Sequence, residues 1–392
     1  MTSIREAVKR FFQPAAPLPA GVYHYQAPPG EGDTEGAARL PSRLHLRLEA
    51  DGSGILILNA ATVLHLNRTA AEYAYYLIQQ TPAEQVAAQV SKRYRVPPEM
   101  AKQDFEDISS RILELVNTPD LDPESFLDFN RLTPHSFRGA PYRLDCALTY
   151  RLPEGAASEL APQQAVTREL TTEEWCAVLD KAWGAGFIHV VFTGGEPTLR
   201  DDLPELIRRA EANGQVTGLL TDGLRLADSA YLDTLLQTGL DHLLLLCQPA
   251  NPDFWLALQN AVAADIYLTV HLTIGPGTRE NAAELLQLLA GHGVHAVSLT
   301  AAGPEWEAAL DELRSQAAGR GLSLVWDLPV PYSAFNPVAL ETKADEAVTG
   351  AGKAWVYLEP DGDLKPAQAD PRLLGNFLRE PWEALQKRLT AA

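Results

Sequence analysis

Beyond residue 140, stretches with the pattern of a strand alternate with stretches with the pattern of a helix. The strands read as short apolar runs, such as Leu243-Leu244-Leu245-Leu246, and after the first pair they begin about 24 to 30 residues apart. This spacing accommodates one strand, one helix and two short loops, which is the repeating unit of a parallel sheet covered by helices. The predicted strands begin near Leu144, Ile188, Val216, His242, Ile266, Ala296 and Leu322.

This repeat predicts an α/β fold, a partial or full (β/α) barrel, in which the carboxyl ends of the strands form the functional edge. The rest of the chain divides by pattern. Residues 1–38 include a Pro- and Gly-rich stretch and are expected to be flexible. Residues 39–117 show three strands and then three helices, a small winged-helix-like α+β domain. Residues 118–140 are a predicted linker, residues 141–329 the barrel, and residues 330–392 an extension without the βα pattern.

Local signals mark where three helices begin. Asn67 precedes a helical stripe of apolar residues and is a predicted N-cap. The segments Thr81–Glu84 and Thr171–Glu174 fit the capping box, in which the first side chain binds the fourth residue's N–H and the fourth side chain binds back. We therefore expect helices to begin directly after Asn67, Thr81 and Thr171.

The charge balance limits the partners. Asp and Glu outnumber Lys and Arg by 51 to 32, which gives a net charge of −19. Because such a surface repels phosphate backbones and anionic lipid, we expect neither nucleic acid nor a membrane as the main partner. No apolar run approaches the ~18 residues of a membrane-spanning helix, and the N-terminus lacks the apolar core of a signal peptide. A cytoplasmic location is therefore expected.

The chain has three cysteines, Cys146, Cys176 and Cys247, and no two of them share a metal-ligand spacing. This count excludes a disulfide scaffold and argues against a metal site with sulfur ligands. Free cysteine is commonly a small buried hydrophobe, and we expect that role for all three. No metal-ligating residues are predicted.

A glycine-rich motif follows the second strand of the repeat. Gly194-Gly195-Glu196 stands at the predicted carboxyl end of that strand, and Asp222 stands at the end of the next. Two glycines remove the side chains that would block the approach of a ligand. The alternative is a strand-to-loop turn that needs glycines for its own backbone.

The segment Phe192–Leu199 resembles the Gly-Gly-Glu motif of the radical S-adenosylmethionine (radical SAM) superfamily. The resemblance implies that Gly194, Gly195, Glu196 and Asp222 bind the cofactor S-adenosylmethionine, and that acceptors of the motif face its ammonium group. Two other segments agree with it. Residues 40–117 are similar to PqqD-like peptide-recognition domains, and the C-terminal segment resembles the SPASM extension of peptide-modifying radical SAM enzymes. These resemblances rest on Leu58-Asn59-Ala60, Leu66-Asn67, Thr69-Ala70, Gly350-Ala351-Gly352, Pro360-Asp361-Gly362-Asp363 and Gly375-Asn376.

PqqD-like domains bind a leader peptide as an added strand beside their third strand and third helix. The resemblance therefore implies a peptide-binding edge over the third predicted strand of residues 40–117. Unpaired amides and carbonyls of an edge strand give affinity with little demand on sequence. The candidate residues are Thr62, Val63, Leu64, His65 and Leu66.

The chain departs from the family at the iron–sulfur cluster. Radical SAM enzymes place Cys-x3-Cys-x2-Cys in the loop after the first strand, and the corresponding positions here are Leu152, Ala156 and Glu159. The cluster cysteines of the extension fall at about Thr349 and at Ala367. Because protein-held clusters need thiolates or occasionally imidazoles, a 4Fe-4S cluster is not expected.

A kept recognition domain beside missing cluster ligands favours a non-catalytic recognition or scaffold subunit of a ribosomal-peptide or peptide-derived-cofactor maturation system. Its partners would be a leader peptide and a catalytic maturation enzyme. The alternative is an enzyme that binds S-adenosylmethionine and modifies a peptide, by non-radical chemistry or with an unusually ligated cluster. A third interpretation is a small-molecule barrel enzyme with Glu196, Asp222 and Glu359 as acid and base groups.

Overall fold

The structure is a computed structural model of the chain, and its helices and strands fall in two compact units. The first unit contains residues 63–117 and the described residues before residue 59, and the second contains those from residue 141 onward. None of the described helices is long and apolar enough to cross a membrane. The described residues are 18–26, 43–49, 51–58, 62–117, 141–154, 166–264, 266–294, 296–325, 351–368 and 370–391.

The first unit is built on a four-stranded sheet with the order β1-β2-β3-β4. Strands β1 and β2 are antiparallel, as are β2 and β3. Leu44, Leu46 and Leu48 alternate along β2 and are buried, as the sequence predicted for a half-buried strand. Strand β4 lies at one edge of the sheet, which is where the sequence predicted an edge strand. The strands are β1 (Gly21–Gln26), β2 (Arg43–Leu48), β3 (Gly54–Leu58) and β4 (Thr62–Leu66).

Strand β1 corrects one expectation. The sequence predicted flexibility over residues 1–38, but residues 21–26 pair with β2 along their whole length. The ring of Tyr23 also packs edge-on against Tyr75, with 4.9 Å between the centroids. Main-chain pairing and this aromatic contact hold a short strand that the Pro- and Gly-rich composition around it concealed.

Three helices follow the sheet of the first unit: α1 (Arg68–Ile78), α2 (Ala83–Tyr94) and α3 (Pro98–Asn117). The predicted cap of α1 is confirmed, because the Asn67 side chain accepts the N–H of Ala70 at 3.0 Å. The predicted capping box at Thr81 is wrong. Helix α2 begins at Ala83 with Pro82 as its N-cap, and no side chain binds there. Glu84 instead pairs with Lys102 at 3.0 Å.

The second unit contains the predicted βα repeat. Its first seven strands are parallel, lie side by side in chain order, and each begins within one residue of the predicted position. Six helices alternate with these strands. The strands are β5 (Arg143–Thr149), β6 (His189–Gly194), β7 (Val216–Thr221), β8 (His242–Leu246), β9 (Tyr267–Ile274), β10 (Ala296–Ala301) and β11 (Ser323–Leu324). The helices are α4 (Thr172–Ala185), α5 (Leu203–Asn213), α6 (Ser229–Gln237), α7 (Pro252–Ala263), α8 (Ala282–Gly291) and α9 (Glu307–Gly319).

The main core lies between these strands and the helices. Leu144, Cys146 and Leu148 of β5 share one apolar cluster with Trp175 and Val178 of α4. Because side chains alternate between the two faces of a strand, the intervening residues lie on the opposite face. There the structure shows a small separate cluster of Val191, Leu220 and Leu244.

The C-terminal extension continues the same sheet. Strand β12 (Trp355–Leu358) pairs parallel with β5, and β13 (Asp363–Lys365) and β14 (Gly375–Asn376) follow in antiparallel order. Helix α10 (Trp382–Ala391) ends the described chain. Among the described strands, β5 is thus flanked by β6 and β12 and not by β11. The α/β class is confirmed, and the alternative of a full barrel is wrong for these strands.

Candidate functional site

The predicted glycine motif lies at the carboxyl end of β6, against the end of β5. Gly194 has φ +133°, and a Cβ atom there would lie 2.2 Å from the main-chain oxygen of Thr149. A Cβ on Gly195 would lie 2.3 Å from the main-chain oxygen of Arg151. The N–H of Gly195 donates to Thr149 at 2.7 Å, and the N–H of Glu196 donates to Arg151 at 2.9 Å. The glycines are therefore required by the approach of the chain's own backbone.

The carboxylate of Glu196 joins the ends of β6 and β7, and this side chain is only 2% exposed. Its Oε1 accepts the N–H of Thr198 at 2.9 Å, the hydroxyl of Thr198 at 2.5 Å and the hydroxyl of Thr221 at 2.8 Å. Its Oε2 accepts the N–H of Asp222 at 2.8 Å. The predicted acceptor for an ammonium group is thus fully engaged by donors of the same chain.

Glu196 and Asp222 stand at neighbouring strand ends, and their carboxyl groups interact. Burial raises the pKa of Glu196 to about 7, with the Asp222 charge as the second cause. Burial also raises the pKa of Asp222, whose carboxylate accepts the N–H of Leu224 at 3.0 Å. Near neutral pH the pair can hold one proton, so it can donate to or accept from a bound group.

Glu359, the third candidate acid or base group of the sequence analysis, interacts with residues other than Glu196 and Asp222. It follows β12, is 5% exposed, and accepts the hydroxyl of Tyr150, the residue after β5. Its second oxygen lies 2.5 Å from the ammonium of Lys365. Sequence reasoning missed this cluster because Tyr150 and Glu359 are far apart in the chain, and nothing local connects them.

A second polar group missed from sequence lies on β9 and β10. His271 is 2% exposed, and its Nδ1 lies 3.1 Å from the hydroxyl of Ser298. Its Nε2 lies 3.2 Å from the hydroxyl of Thr300 and 3.3 Å from that of Thr273. Burial lowers the pKa of His271 to about 4, so the imidazole is neutral at physiological pH. The signal available in the sequence was polar residues at every second position of the apolar strand Tyr267–Ile274.

The three cysteines lie on different elements of the second unit. Cys146 is fully buried on the helix-facing side of β5, and burial raises the pKa of its thiol. Cys176 lies in α4 and Cys247 follows β8. Among the described residues, no group of three or more His, Cys, Asp and Glu side chains is placed to hold a metal ion.

Leu152 occupies the first cluster position and is half-buried, and Ala367 of the extension is buried. Ala156, Glu159 and Thr349 lie outside the described residues. None of these five residues has a thiol or an imidazole. These five positions therefore do not fit a 4Fe-4S cluster, because cluster irons need thiolate or imidazole ligands.

The candidate peptide-binding strand β4 has one face in the core of the first unit. Leu64 and Leu66 are each 5% exposed, whereas Val63 between them is half-buried. The backbone of Thr62 and His65 belongs to β4, but their side chains lie outside the description. Leu64 and Leu66 are thus core residues, and only their main chain is available at the sheet edge.

Comparison with known proteins agrees with this fold. Residues 146–314 match the family model of the Radical SAM superfamily. The chain is 44% identical to the PqqA peptide cyclase of Granulibacter bethesdensis over 83 residues, 21% of this chain and 22% of that protein. It is 29% identical to the PqqA peptide cyclase of Ruegeria pomeroyi over 263 residues, 59% of this chain and 68% of that protein. The aligned part of the first relative is therefore about a fifth of its length.

Two solved structures share the fold at low identity. The structure of Streptococcus suis SuiB bound to the precursor peptide SuiA matches with a TM-score of 0.53 and 15% identity, over 87% of this chain and 86% of that chain. SuiB bound to S-adenosylmethionine matches with a TM-score of 0.52 and 14% identity, over 88% and 86%. The predicted resemblance to the radical SAM superfamily is confirmed for the matched residues.

Proposed function

We propose that this protein is a peptide-binding recognition subunit of a peptide-maturation system, and that it works without an iron–sulfur cluster. The residues at the expected cluster positions carry the proposal. The chain matches radical SAM proteins over residues 146–314, yet Leu152, Ala156 and Glu159 stand where the cluster thiols would be. Radical cleavage of S-adenosylmethionine needs an electron from that cluster, so we assign no radical step to this chain.

The first unit supplies the peptide-binding surface of this proposal. We infer that it is a PqqD-like recognition domain, within residues 39–117, and that a leader peptide adds to its sheet beside β4. The edge position of β4 supports this inference, because unpaired amides and carbonyls accept an extended peptide with little demand on sequence. The relatives, which are PqqA peptide cyclases, point to the same class of substrate.

The proposal implies a second protein. Because the chain itself holds no cluster in this proposal, the modification of the peptide must be carried out by a catalytic maturation enzyme that docks on it. The net charge of −19 favours a leader peptide with basic side chains.

Titration of a labelled PqqA-type precursor peptide, the substrate class of the relatives, tests the proposal in the full chain. We expect saturable binding at tens of micromolar or tighter, and at least about tenfold weaker binding by Val63→Pro, since proline removes a main-chain donor of β4. Val22→Pro places the same change in β1 at the opposite edge, and is the matched control. Circular dichroism must show that both variants fold. The absence of binding, or an equal loss in both folded variants, contradicts the proposal.

A second candidate function is binding of S-adenosylmethionine by Gly194, Gly195, Glu196 and Asp222 for non-radical modification of a peptide. The carboxyl pair at the strand ends favours it, because a raised pKa marks groups that can move protons. The engagement of Glu196 by the chain's own donors counts against it. Calorimetry of the full chain with S-adenosylmethionine decides, since a flat trace removes this candidate.

A further inference from the structure

Three polar side chains, Tyr150, Glu359 and Lys365, connect the end of β5 with the C-terminal extension. We call them the clamp. The hydroxyl of Tyr150 donates to one carboxylate oxygen of Glu359, and the ammonium of Lys365 lies 2.5 Å from the other. The hydroxyl of Tyr357, on β12, lies 3.4 Å from that of Tyr150. Neither the peptide-binding edge nor the glycine motif uses these groups.

The clamp is buried, which makes it unlike ordinary surface ion pairs. Glu359 is 5% exposed and Lys365 is 7% exposed. Taking both charges out of water costs free energy that their attraction returns only with good geometry, and apolar side chains would often be at least as stable. Burial raises the pKa of Tyr150, so the phenol keeps its proton and donates to Glu359. A buried pair with each carboxylate oxygen matched to one donor specifies position more than it adds stability.

The main chain at Tyr150 is also held by contacts with the glycine motif that follows β6. The N–H of Gly195 donates to Thr149, and a Cβ on Gly195 would lie 2.9 Å from the carbonyl carbon of Tyr150. Glu169 accepts the Thr149 hydroxyl at 2.5 Å and the Tyr150 N–H at 3.2 Å. A displacement of Tyr150 therefore moves the main chain on which the glycine motif rests.

We propose that the clamp positions the beginning of the loop after β5 from the C-terminal extension, without a metal ion, so that the stability of the extension and that of the glycine motif are coupled. Leu152, the first cluster position of the resembled family, stands two residues beyond Tyr150. The clamp thus fixes the chain at the point where the family begins its metal-binding loop. Tyr150, Glu359 and Lys365 are positioning residues in this proposal, which does not depend on peptide binding by the first unit.

Hydrogen exchange of the full chain, read by mass spectrometry, tests the coupling. Tyr150→Phe removes the hydroxyl and keeps the ring. We expect about tenfold faster exchange, the effect of losing one hydrogen bond, both in residues 355–365 and in residues 194–199, with residues 63–117 unchanged. Tyr231→Phe is the matched control, because the Tyr231 hydroxyl has no hydrogen-bond partner among the residues that the structure describes. Faster exchange confined to the neighbours of residue 150 would overturn the proposal.

Comparison of a single variant with a double variant tests the ion pair by thermal unfolding of the second unit. Lys365→Met leaves Glu359 charged and buried, so a large loss of the midpoint temperature is expected, and loss of folding is the extreme case. Glu359→Gln together with Lys365→Met removes both charges, and the double variant should unfold at a higher temperature than Lys365→Met alone. A double variant that is no more stable than Lys365→Met contradicts the proposed role of the clamp. In the hydrogen-exchange experiment, the proposal is also contradicted if protection of the wild-type chain requires added iron or is lost with a chelator.

Discussion

Replacing Glu196 by glutamine tests how the glycine motif is held. Glutamine keeps the size of the side chain and one oxygen, which can still accept from Thr198 and Thr221. Its NH2 group, however, faces the N–H of Asp222, which donates to Glu196 at 2.8 Å in the native chain. Because a buried donor without an acceptor costs about 1–3 kcal/mol, Glu196→Gln should destabilise the second unit by roughly that amount where Glu196 is ionised.

The same substitution should change how stability depends on pH. The pKa of Glu196 rises from 4.5 to about 7 on folding, through burial first and the Asp222 charge second. Between these values the folded chain binds more protons than the unfolded chain, so its stability falls as pH rises. The contribution is fully present below pH 4.5 and is lost above about pH 7. At about 1.36 kcal/mol per pKa unit the change amounts to roughly 3 kcal/mol, shared with Asp222.

Urea unfolding followed by tryptophan fluorescence is the assay, at several pH values from 5 to 8. All seven tryptophans come after residue 170 in the sequence and none belongs to residues 1–117, so the signal does not report on the first unit. Wild type should lose stability across this range more steeply than Glu196→Gln. Glu205→Gln, an exposed change on α5, should follow wild type. Parallel pH profiles for wild type and Glu196→Gln would show that the buried carboxyl does not bind the proton assigned to it.

Three further predictions concern single residues. Gly194→Ala should destabilise the second unit by about 3 kcal/mol or more, because its Cβ would lie 2.2 Å from a main-chain oxygen. Gly184→Ala, with nothing within 4 Å of its Cβ, should stabilise helix α4 by about 0.5–1 kcal/mol; urea unfolding that ranks the two alanines the other way refutes both. Thr171→Ala should cost about 1 kcal/mol in the same assay, since the cap bond to the Glu174 N–H is lost, and an unchanged midpoint is the contrary result. The thiol of Cys146, buried and with a raised pKa, should resist alkylation in native protein and react only in denaturant; rapid native labelling would contradict its placement.

The parallel sheet was the most predictable part of the fold. A buried parallel strand is an apolar run between turn residues, so its start is marked locally, and all seven starts were found within one residue. The capping box at Thr171 is confirmed, with both of its hydrogen bonds present. The similar pattern at Thr81 is wrong because Pro82 occupies the cap position. Local signals therefore predict an element well until a neighbouring residue competes for the same position.

The chemistry of the candidate site was only partly predictable. The sequence predicted that Glu196 and Asp222 stand at neighbouring strand ends, and the structure confirms this. It did not predict that Thr198 and Thr221 satisfy Glu196, because hydrogen-bond partners depend on the three-dimensional path of the loops. The clamp could not be predicted for the same reason. It depends on the parallel pairing of β12 with β5, two strands that are far apart in the sequence.

Reconstitution with iron and sulfide under anaerobic conditions, followed by titration of the precursor peptide into the same sample, tests the central claim most directly. The account predicts colourless protein, without absorbance at the iron–sulfur charge-transfer bands, that binds the peptide as tightly as before reconstitution. A coloured protein with about four irons per chain, or peptide binding that appears only after iron is added, would contradict it.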